Sequence, residues 1–379
     1  MRILHLITGL ETGGAETALQ RLLAGMDSRY ENRVVSLIPP GFVGRRISEM
    51  GTPVAHLGMH RGLPSPAALG RLVAMIRDFQ PSLIQTWLYH ADLLGLSAAR
   101  LAGLVAGGKV RKIPVAWNLR CSYMDFSQYP RTTAWTVKVC AALSRFPAVV
   151  VANSEAAVTH HRGLGYRAKR YEVIANGFDT AHFKPQPGAV GRLREKLGIP
   201  EGHALAGMVA RFDPMKDFPT LLTALARTPN LSLALCGQGL DSDNLTLARW
   251  LNQAGVADRV HLLGHRADVV DLLAGLDIYV SSSRGESFPN VVAEAMACGV
   301  LPVVTDVGAS AEVVGETGRV VHPGDSGALA DVLGALMLMP SGERRALGLA
   351  ARARVEAKYS QKAFVTRYER LYDEFSTAG

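Results

Sequence analysis

The sequence predicts an α/β protein of two domains, each a parallel β-sheet covered by helices on both faces. Its 379 residues are enough for two ordinary domains with separate cores. Short, nearly continuous apolar runs alternate with helix-length amphipathic segments from Arg2 to Ala152 and again from Leu205 to Thr305, the pattern of strands buried on both faces. The Pro- and Gly-bearing stretch Phe183-Lys184-Pro185-Gln186-Pro187-Gly188 between the two series reads as a linker.

Composition narrows the class. An apolar share of 48% with 20% charged residues is that of a folded globular chain. No apolar run approaches the roughly 20 residues of a spanning helix, and Met1 to Ile7 is too short for a signal-peptide core, so a cytosolic protein is expected. Cys121, Cys140, Cys236 and Cys298 have no C-x-x-C spacing, which predicts reduced thiols rather than disulfides or a zinc site. Charge is uneven: residues 1–180 hold 21 Lys and Arg against 11 Asp and Glu, and the remainder holds 20 against 22. The basic half either serves solubility or faces an anionic acceptor or membrane surface. Nucleic acid is not expected, because no binding motif or basic-aromatic platform stands out.

In chain order, Arg2 to Ile7 is the first strand. Thr8-Gly9-Leu10-Glu11-Thr12-Gly13-Gly14 is a loop whose Gly13 and Gly14 admit a ligand close to the backbone, and Ala15 to Met26 is a helix. Strands follow near Asn32 to Ile38, Pro53 to Leu57, Ser82 to Thr86, Ile113 to Trp117 and Ala148 to Ala152. Ligands of such sheets sit at the C-terminal strand ends, where Gln85 to His90 and Trp117 to Arg120 fall. His90, just before a helix from Asp92 to Ala102, is a capping or packing histidine or an acceptor-side group. A helix from Thr132 to Phe146 carries Arg131, Lys138 and Arg145 at seven-residue spacing on one face, either solvated or suited to anionic lipid. Asn176-Gly177 signals a turn, and the boundary is placed near residue 181.

In the second domain, Leu205 to Ala210 is a strand that delivers Arg211. Phe212 to Asp217 then leads into a helix that Asp217 is expected to cap. Arg211 and Lys216 thus converge from a strand end and a helix start, either as a surface pair or as two cations that meet an anion. Leu231 to Cys236 ends in the turn Gly237-Gln238-Gly239. Asp241-Ser242-Asp243 trails that strand and precedes a helix, so helix-capping is expected of it rather than metal binding. Val260 to Gly264 is a strand and turn.

Leu276 to Val280 is a strand, Ser281 to Pro289 a polar loop, and Val291 to Cys298 a helix stopped by Gly299. A helix start offers free amides and partial positive charge to an anion. Glu286 and Glu294 frame this loop, about 10 Å apart if separated by two helical turns. That is too far for a retaining glycosidase pair, whose carboxyls lie about 5 Å apart. Leu301 to Thr305 is a further strand, and Ser341 to Lys358 and Ala363 to Phe375 are helices. There is no repeat and no low-complexity tract.

Glu286 and Glu294 with Gly285, Ser287, Phe288, Pro289 and Asn290, preceded by Arg211 and Lys216, resemble the retaining glycosyltransferases of sequence family four. Gly-Gly-Ala-Glu opening the first helix, the exit from the first domain and Asp306 to Ser310 resemble the same family. The resemblance covers nearly the whole chain. It implies the GT-B fold: two Rossmann-like domains with parallel sheets facing a central cleft. Residues 1–181 would bind the acceptor and 182–360 the nucleotide sugar, with a helix near 361–379 packing back on the first domain. It also implies transfer of a hexose or N-acetylhexosamine from a UDP- or GDP-sugar to an acceptor hydroxyl, in polysaccharide, lipopolysaccharide or glycolipid assembly, without a metal or other cofactor.

Arg211, Lys216 and Glu286 would be catalytic. Gly13, Gly14, Gly237, Gly239, Ser287, Phe288, Pro289, Asn290 and Glu294 would hold the donor, Glu286 touching the sugar and Glu294 the ribose. His90, Asn118 and Arg120 fall on the acceptor side, and either Asn118 or Arg120 stands where many relatives carry a sugar-contacting histidine. The acceptor expected is a lipid-linked or soluble saccharide, reached from the cytoplasm or the inner membrane face. A non-catalytic nucleotide-sugar binder or a GT-B epimerase are the alternatives. A dinucleotide oxidoreductase is disfavoured by the missing G-x-G-x-x-G after the first strand.

Overall fold

The structure, a computed structural model, describes residues 1–59, 66–104, 112–122 and 130–376. It divides into two units, Met1–Gly177 with Gln361–Gly379, and Phe178–Ser360.

Among its described residues, unit 1 is built on seven parallel strands: β1 (Arg2–Ile7), β2 (Glu31–Ser36), β3 (Val54–His56), β4 (Leu83–Trp87), β5 (Val115–Leu119), β6 (Val149–Ala152) and β7 (Tyr171–Val173), in the order β3-β2-β1-β4-β5-β6-β7. Between them run α1 (Gly14–Gly25), α2 (Phe42–Glu49), α3 (Pro66–Phe79), α4 (Tyr89–Leu104), α5 (Arg131–Leu143) and α6 (Glu155–Gly163). Period-two alternation along β1 assigns its side chains to two cores. Leu4 and Leu6 join the α3 and α4 layer, whereas Ile3 and Ile7 join the α1 layer. Both faces are therefore covered, which is why the strands read as continuous apolar runs. The chain changes direction of winding between β1 and β4, and that switch point is where a ligand crevice forms in an open α/β sheet.

Unit 2 repeats the plan with β8 (Ala204–Val209), β9 (Leu231–Cys236), β10 (Val260–Leu262), β11 (Ile278–Ser281), β12 (Leu301–Thr305) and β13 (Arg319–Val321), all parallel, in the order β10-β9-β8-β11-β12-β13. Its helices are α7 (Ala189–Leu197), α8 (Phe218–Ala226), α9 (Leu245–Ala254), α10 (Val269–Ala274), α11 (Asn290–Ala297), α12 (Ser310–Val314), α13 (Ser326–Leu338) and α14 (Ser341–Lys358). Here the switch point lies between β8 and β11.

The last helix, α15 (Gln361–Ser376), belongs to unit 1. Phe364, Val365, Tyr368, Leu371 and Tyr372 recur at helical spacing and are buried against the sheet side that also holds Ile3, Trp87 and Ala116. Its polar tips are satisfied as well. The Tyr368 hydroxyl accepts from Asn118 Nδ2 at 2.8 Å and Arg120 Nη2 at 2.6 Å, and the Tyr30 hydroxyl donates to Asp373 at 2.6 Å.

Several expectations shift in register. α4 begins at Tyr89, so His90 stands in its first turn rather than before it. α5 ends at Leu143, which leaves Arg145 beyond the helix of Arg131 and Lys138. Asn244, and not Asp241 or Asp243, caps α9: its side chain accepts the Leu247 amide at 3.0 Å. The short strands β7 and β13 escape the apolar pattern because each has three residues and neither is fully buried. Cys140, Cys236 and Cys298 are buried free thiols. Among the described residues no helix is long and apolar enough to cross a membrane.

Candidate active site

At the unit 2 switch point, the loops after β8 and β11 are stitched together. Past β8, Asp213 accepts the Met215 amide at 2.9 Å and caps a single 3-10 turn, Pro214–Lys216. Burial works against the charge of Asp213, but that amide and the Arg211 guanidinium hold its carboxyl below the ordinary range. Arg211 Nε donates to Asp213 Oδ2 at 2.8 Å, while its side chain remains 71% exposed and open to an anion. From the β11 loop, Ser282 Oγ donates to the Lys216 carbonyl at 2.8 Å and the Arg284 amide donates to the Met215 carbonyl at 2.8 Å.

These bonds bring Lys216 Nζ onto Glu286 Oε1 in a direct ion pair, with side chains only 21% and 16% exposed. The same oxygen accepts Ser283 Oγ at 2.8 Å. Glu286 is thus oriented by two donors through one oxygen. Asp217 stands at the N-terminus of α8, with φ at +48°, but bonds no backbone amide of the helix through its side chain. Instead the buried carboxylate accepts Thr220 Oγ1 at 2.7 Å and Arg284 Nε at 2.8 Å. The expected cap is in fact a second clasp between the two loops.

Glycine is required at two closures. Gly237 has φ +142°, and a Cβ there would lie 1.8 Å from the Ala210 carbonyl oxygen, so the turn after β9 packs against the chain just before Arg211. Gly308 has φ +56°, and its Cβ would lie 2.0 Å from the Glu286 carbonyl oxygen, which holds the loop after β12 against the Glu286 loop. Gly239 follows in the same turn, where Phe212 N donates to the Gln238 carbonyl at 2.8 Å.

Along the rest of the motif, Ser287 is half-buried and Phe288 is buried, stacked on Phe178 at 6.1 Å with Tyr359 edge-on at 6.0 Å. Phe288 therefore anchors the loop in an aromatic cluster of unit 2. Pro289 precedes α11, Asn290 opens it, and Glu294 lies on its half-exposed side. Tyr279 of β11 had no signal in the sequence beyond a place in an apolar strand. Burial pushes its hydroxyl up, and the Glu286 and Glu294 carboxylates add to that push, so both carboxylates act on one buried phenol.

Unit 1 has its own cavity of about 420 Å³ at the corresponding strand ends. Thr8 and Gly9 follow β1, Leu37 and Ile38 follow β2, Leu88 follows β4, and His90 adds the first turn of α4. Glu11 and Glu16 line it too; Glu16 is the acid of the Gly-Gly-Ala-Glu motif, whereas Glu11 had no sequence signal of its own. Burial raises the Glu16 carboxyl and lowers the His90 imidazole, so both lean toward their neutral forms. Gly13 leaves space for Glu16: a Cβ there would lie 2.3 Å from Glu16 Oε2. Gly14 is the first residue of α1.

Asn118 and Arg120 are not among the residues lining that cavity. Besides Tyr368, Arg120 bonds Asn176 and lies 4.8 Å over the Trp87 ring, and burial lowers its basicity. Both side chains hold α15 against the sheet. Their positions at the end of β5 satisfied the sequence pattern; their partners come from a helix some 250 residues away.

Residues 12–182 match the family description Glycosyltransferase Family 4, and residues 190–354 match Glycosyl transferases group 1. The N-acetyl-alpha-D-glucosaminyl L-malate synthase of Bacillus anthracis is 30% identical over 231 residues, 59% of this chain and 59% of that protein. The lipopolysaccharide core biosynthesis mannosyltransferase LpsB of Rhizobium meliloti is 26% identical over 328 residues, 80% of this chain and 88% of its own. Among solved structures, Anabaena Alr3699/HepE in complex with UDP superposes with a TM-score of 0.84 at 25% identity, covering 99% of this chain and 100% of the other. With adjacent matches over both halves and a shared two-sheet architecture along its whole length, the chain belongs to the family 4 glycosyltransferases and has the GT-B fold.

Proposed function

We propose that this protein transfers a hexose or N-acetylhexosamine from a UDP- or GDP-sugar to an acceptor hydroxyl with retention at the anomeric carbon, in the assembly of a polysaccharide, lipopolysaccharide or glycolipid. The observation that carries the reading is the Lys216–Glu286 pair at the unit 2 switch point, with Arg211 exposed beside Asp213. As the glycosidic bond breaks, negative charge grows on the leaving diphosphate, and Lys216 and Arg211 are the cations that meet it. Glu286, fixed by Lys216 and Ser283, accepts from sugar hydroxyls, and Glu294 accepts from the ribose. The acceptor oxygen bonds to the anomeric carbon, the bond to the diphosphate oxygen breaks, and the acceptor proton passes to that departing oxygen.

Unit 2 is thereby the donor side, and the unit 1 cavity with His90, Glu11 and Glu16 the acceptor side. The reaction needs no metal on this reading, because two side-chain cations meet the diphosphate. Alr3699/HepE has also been solved with UDP-glucose, which makes UDP-sugars the first donors to try.

A thermal-shift panel of UDP-, GDP- and ADP-sugars tests the donor, followed by transfer to saccharide acceptors with and without EDTA and proton NMR of the product's anomeric signal. Selective stabilisation, EDTA-insensitive turnover and a product of the donor's anomeric configuration are expected. Donor binding with no turnover on any acceptor would favour a binding protein, and an inverted product would overturn the mechanism.

A further inference from the structure

We infer that the α4–α5 face of unit 1 is a docking surface for an anionic phospholipid bilayer. The inference begins with charge. Between residues 93 and 147 the sequence has eight Lys and Arg against a single acid, Asp125. Five of these cations, Arg100, Lys112, Arg131, Lys138 and Arg145, are exposed, and none of the five is paired with a carboxylate among the described residues.

Apolar side chains are set between the cations. Along α5, Arg131, Trp135, Lys138 and Ala142 are all exposed at successive spacings of four, three and four residues, which is one face of a helix. Trp135 on this face is 57% exposed among the described residues. α4 packs beside α5 and carries Arg100 and Leu101 near its C-terminal end, the latter 40% exposed. Arg100 lies 4.1 Å over the ring of Phe146, itself 43% exposed, with Arg145 at 5.0 Å. The C-terminal ends of α4 and α5 thus gather Leu101 and Phe146 with Arg100 and Arg145, and the exposed face of α5 continues with Trp135 between Arg131 and Lys138.

Folding leaves such a surface open only at a cost in exposed apolar area, and a bilayer interface satisfies each part of it. Indole and phenyl rings settle at the headgroup level, and cations gain from the negative surface potential. An aqueous saccharide would use neither. The first turn of α5 also supplies Thr132 and Thr133 to the unit 1 cavity. One helix of about 20 Å therefore joins the cavity to the basic-aromatic face. The inference concerns attachment and stands whether or not the chain transfers sugar.

Co-sedimentation of the full chain with vesicles tests it, using phosphatidylcholine alone and an equimolar mixture with phosphatidylglycerol. Binding to the mixed vesicles only, weakening as salt rises, is expected. Each cation near an anionic surface contributes about a factor of five, so the triple variant Arg131→Ala, Lys138→Ala, Arg145→Ala should bind roughly a hundred-fold more weakly. Trp135→Phe should abolish most of a blue shift in tryptophan emission on vesicle addition while leaving binding largely intact, which separates docking from misfolding. No binding to the mixed vesicles by a folded protein, a triple variant that binds as the wild type does, or equal binding to duplex DNA with no Trp135 emission change would each overturn the inference.

Discussion

Replacing Lys216 by Met removes one charge and keeps the length of the side chain. Two unit charges about 4 Å apart at an effective dielectric near 20 interact by about 4 kcal/mol. The Lys216 and Glu286 side chains are 21% and 16% exposed, so solvent screens them incompletely and a large part of that interaction is available to a diphosphate in the same place. Part is already present in the ground state, where the donor carries its own charge. The difference that matters is the charge gained on bond breaking, and loss of one such stabilising group costs about 10²–10³ in rate.

The expectation for Lys216→Met is therefore a fall in kcat of about 10²–10³ with a much smaller change in donor affinity. Single-turnover transfer at saturating donor measures it. Folding should suffer less. A fully buried pair broken on one side costs about 3–5 kcal/mol, and this partly exposed one, with Ser283 still bonded to Glu286, should lose about 1–2 kcal/mol. A variant that transfers within ten-fold of the wild-type rate, while melting at a lower temperature, would refute the reasoning: the pair would then be a structural clasp like Asp217 and Arg284.

Three further outcomes are expected. Gly308→Ala sets a Cβ 2.0 Å from the Glu286 carbonyl oxygen, and should lower stability by about 1–3 kcal/mol and weaken donor binding in the thermal-shift assay, because the Glu286 loop must move. Tyr368→Phe leaves the buried Arg120 and Asn118 donors short of an acceptor and should cost about 1–3 kcal/mol; a double variant with Arg120→Met should cost less than the sum of the two, as a denaturation cycle would reveal. Asp92 is buried beside Thr86, and burial lifts its carboxyl from 3.8 to about 8 even though the Thr86 bond pulls the other way. The folded state keeps this proton where the unfolded state has released it, so wild-type stability falls as pH rises through that window. Asp92→Asn should flatten the decline, with a melting-temperature gain over the wild type that grows from mildly acidic to mildly alkaline pH. With the opposing Asp92 slope removed, the rise in stability between about pH 4 and 6.5 should steepen in this variant, since it is set by buried histidines such as His5 and His161, each lowered by burial to about 4 and destabilising as pH falls below 6.5.

Most of the strand and helix plan was legible because parallel strands buried on both faces leave unbroken apolar runs; β9, β12 and α14 fall where the pattern puts them. The candidate site of unit 2 was legible through the motif it shares with family 4. Arg211, Lys216 and Glu286 lie at strand ends, and strand ends are visible in a sequence. What the pattern could not supply is partnership across the sheet. Asp217 reads as a cap from its position before Phe218, yet Arg284, 67 residues on, takes its carboxylate. Asn118 and Arg120 read as ligand-facing because they end a strand, and a tyrosine of the last helix claims them both. Glu11 reads as an ordinary loop acid, and only the three-dimensional wall of the cavity gives it a place with Glu16 and His90. Hydrogen bonds between distant segments leave no periodic trace.

The return of α15 to unit 1 has a consequence for how the molecule is made. A ribosome releases residues 1–177 long before Gln361, so the first sheet waits, with the seats of Phe364, Tyr368 and Tyr372 vacant, while the whole of unit 2 is synthesised. Unit 2 is contiguous from Phe178 to Ser360 and can close on its own contacts during that interval. The half that begins first is thus completed last. Its final helix acts as a seal, and a nascent chain that stalls inside unit 2 offers chaperones and proteases the open aromatic seam of unit 1.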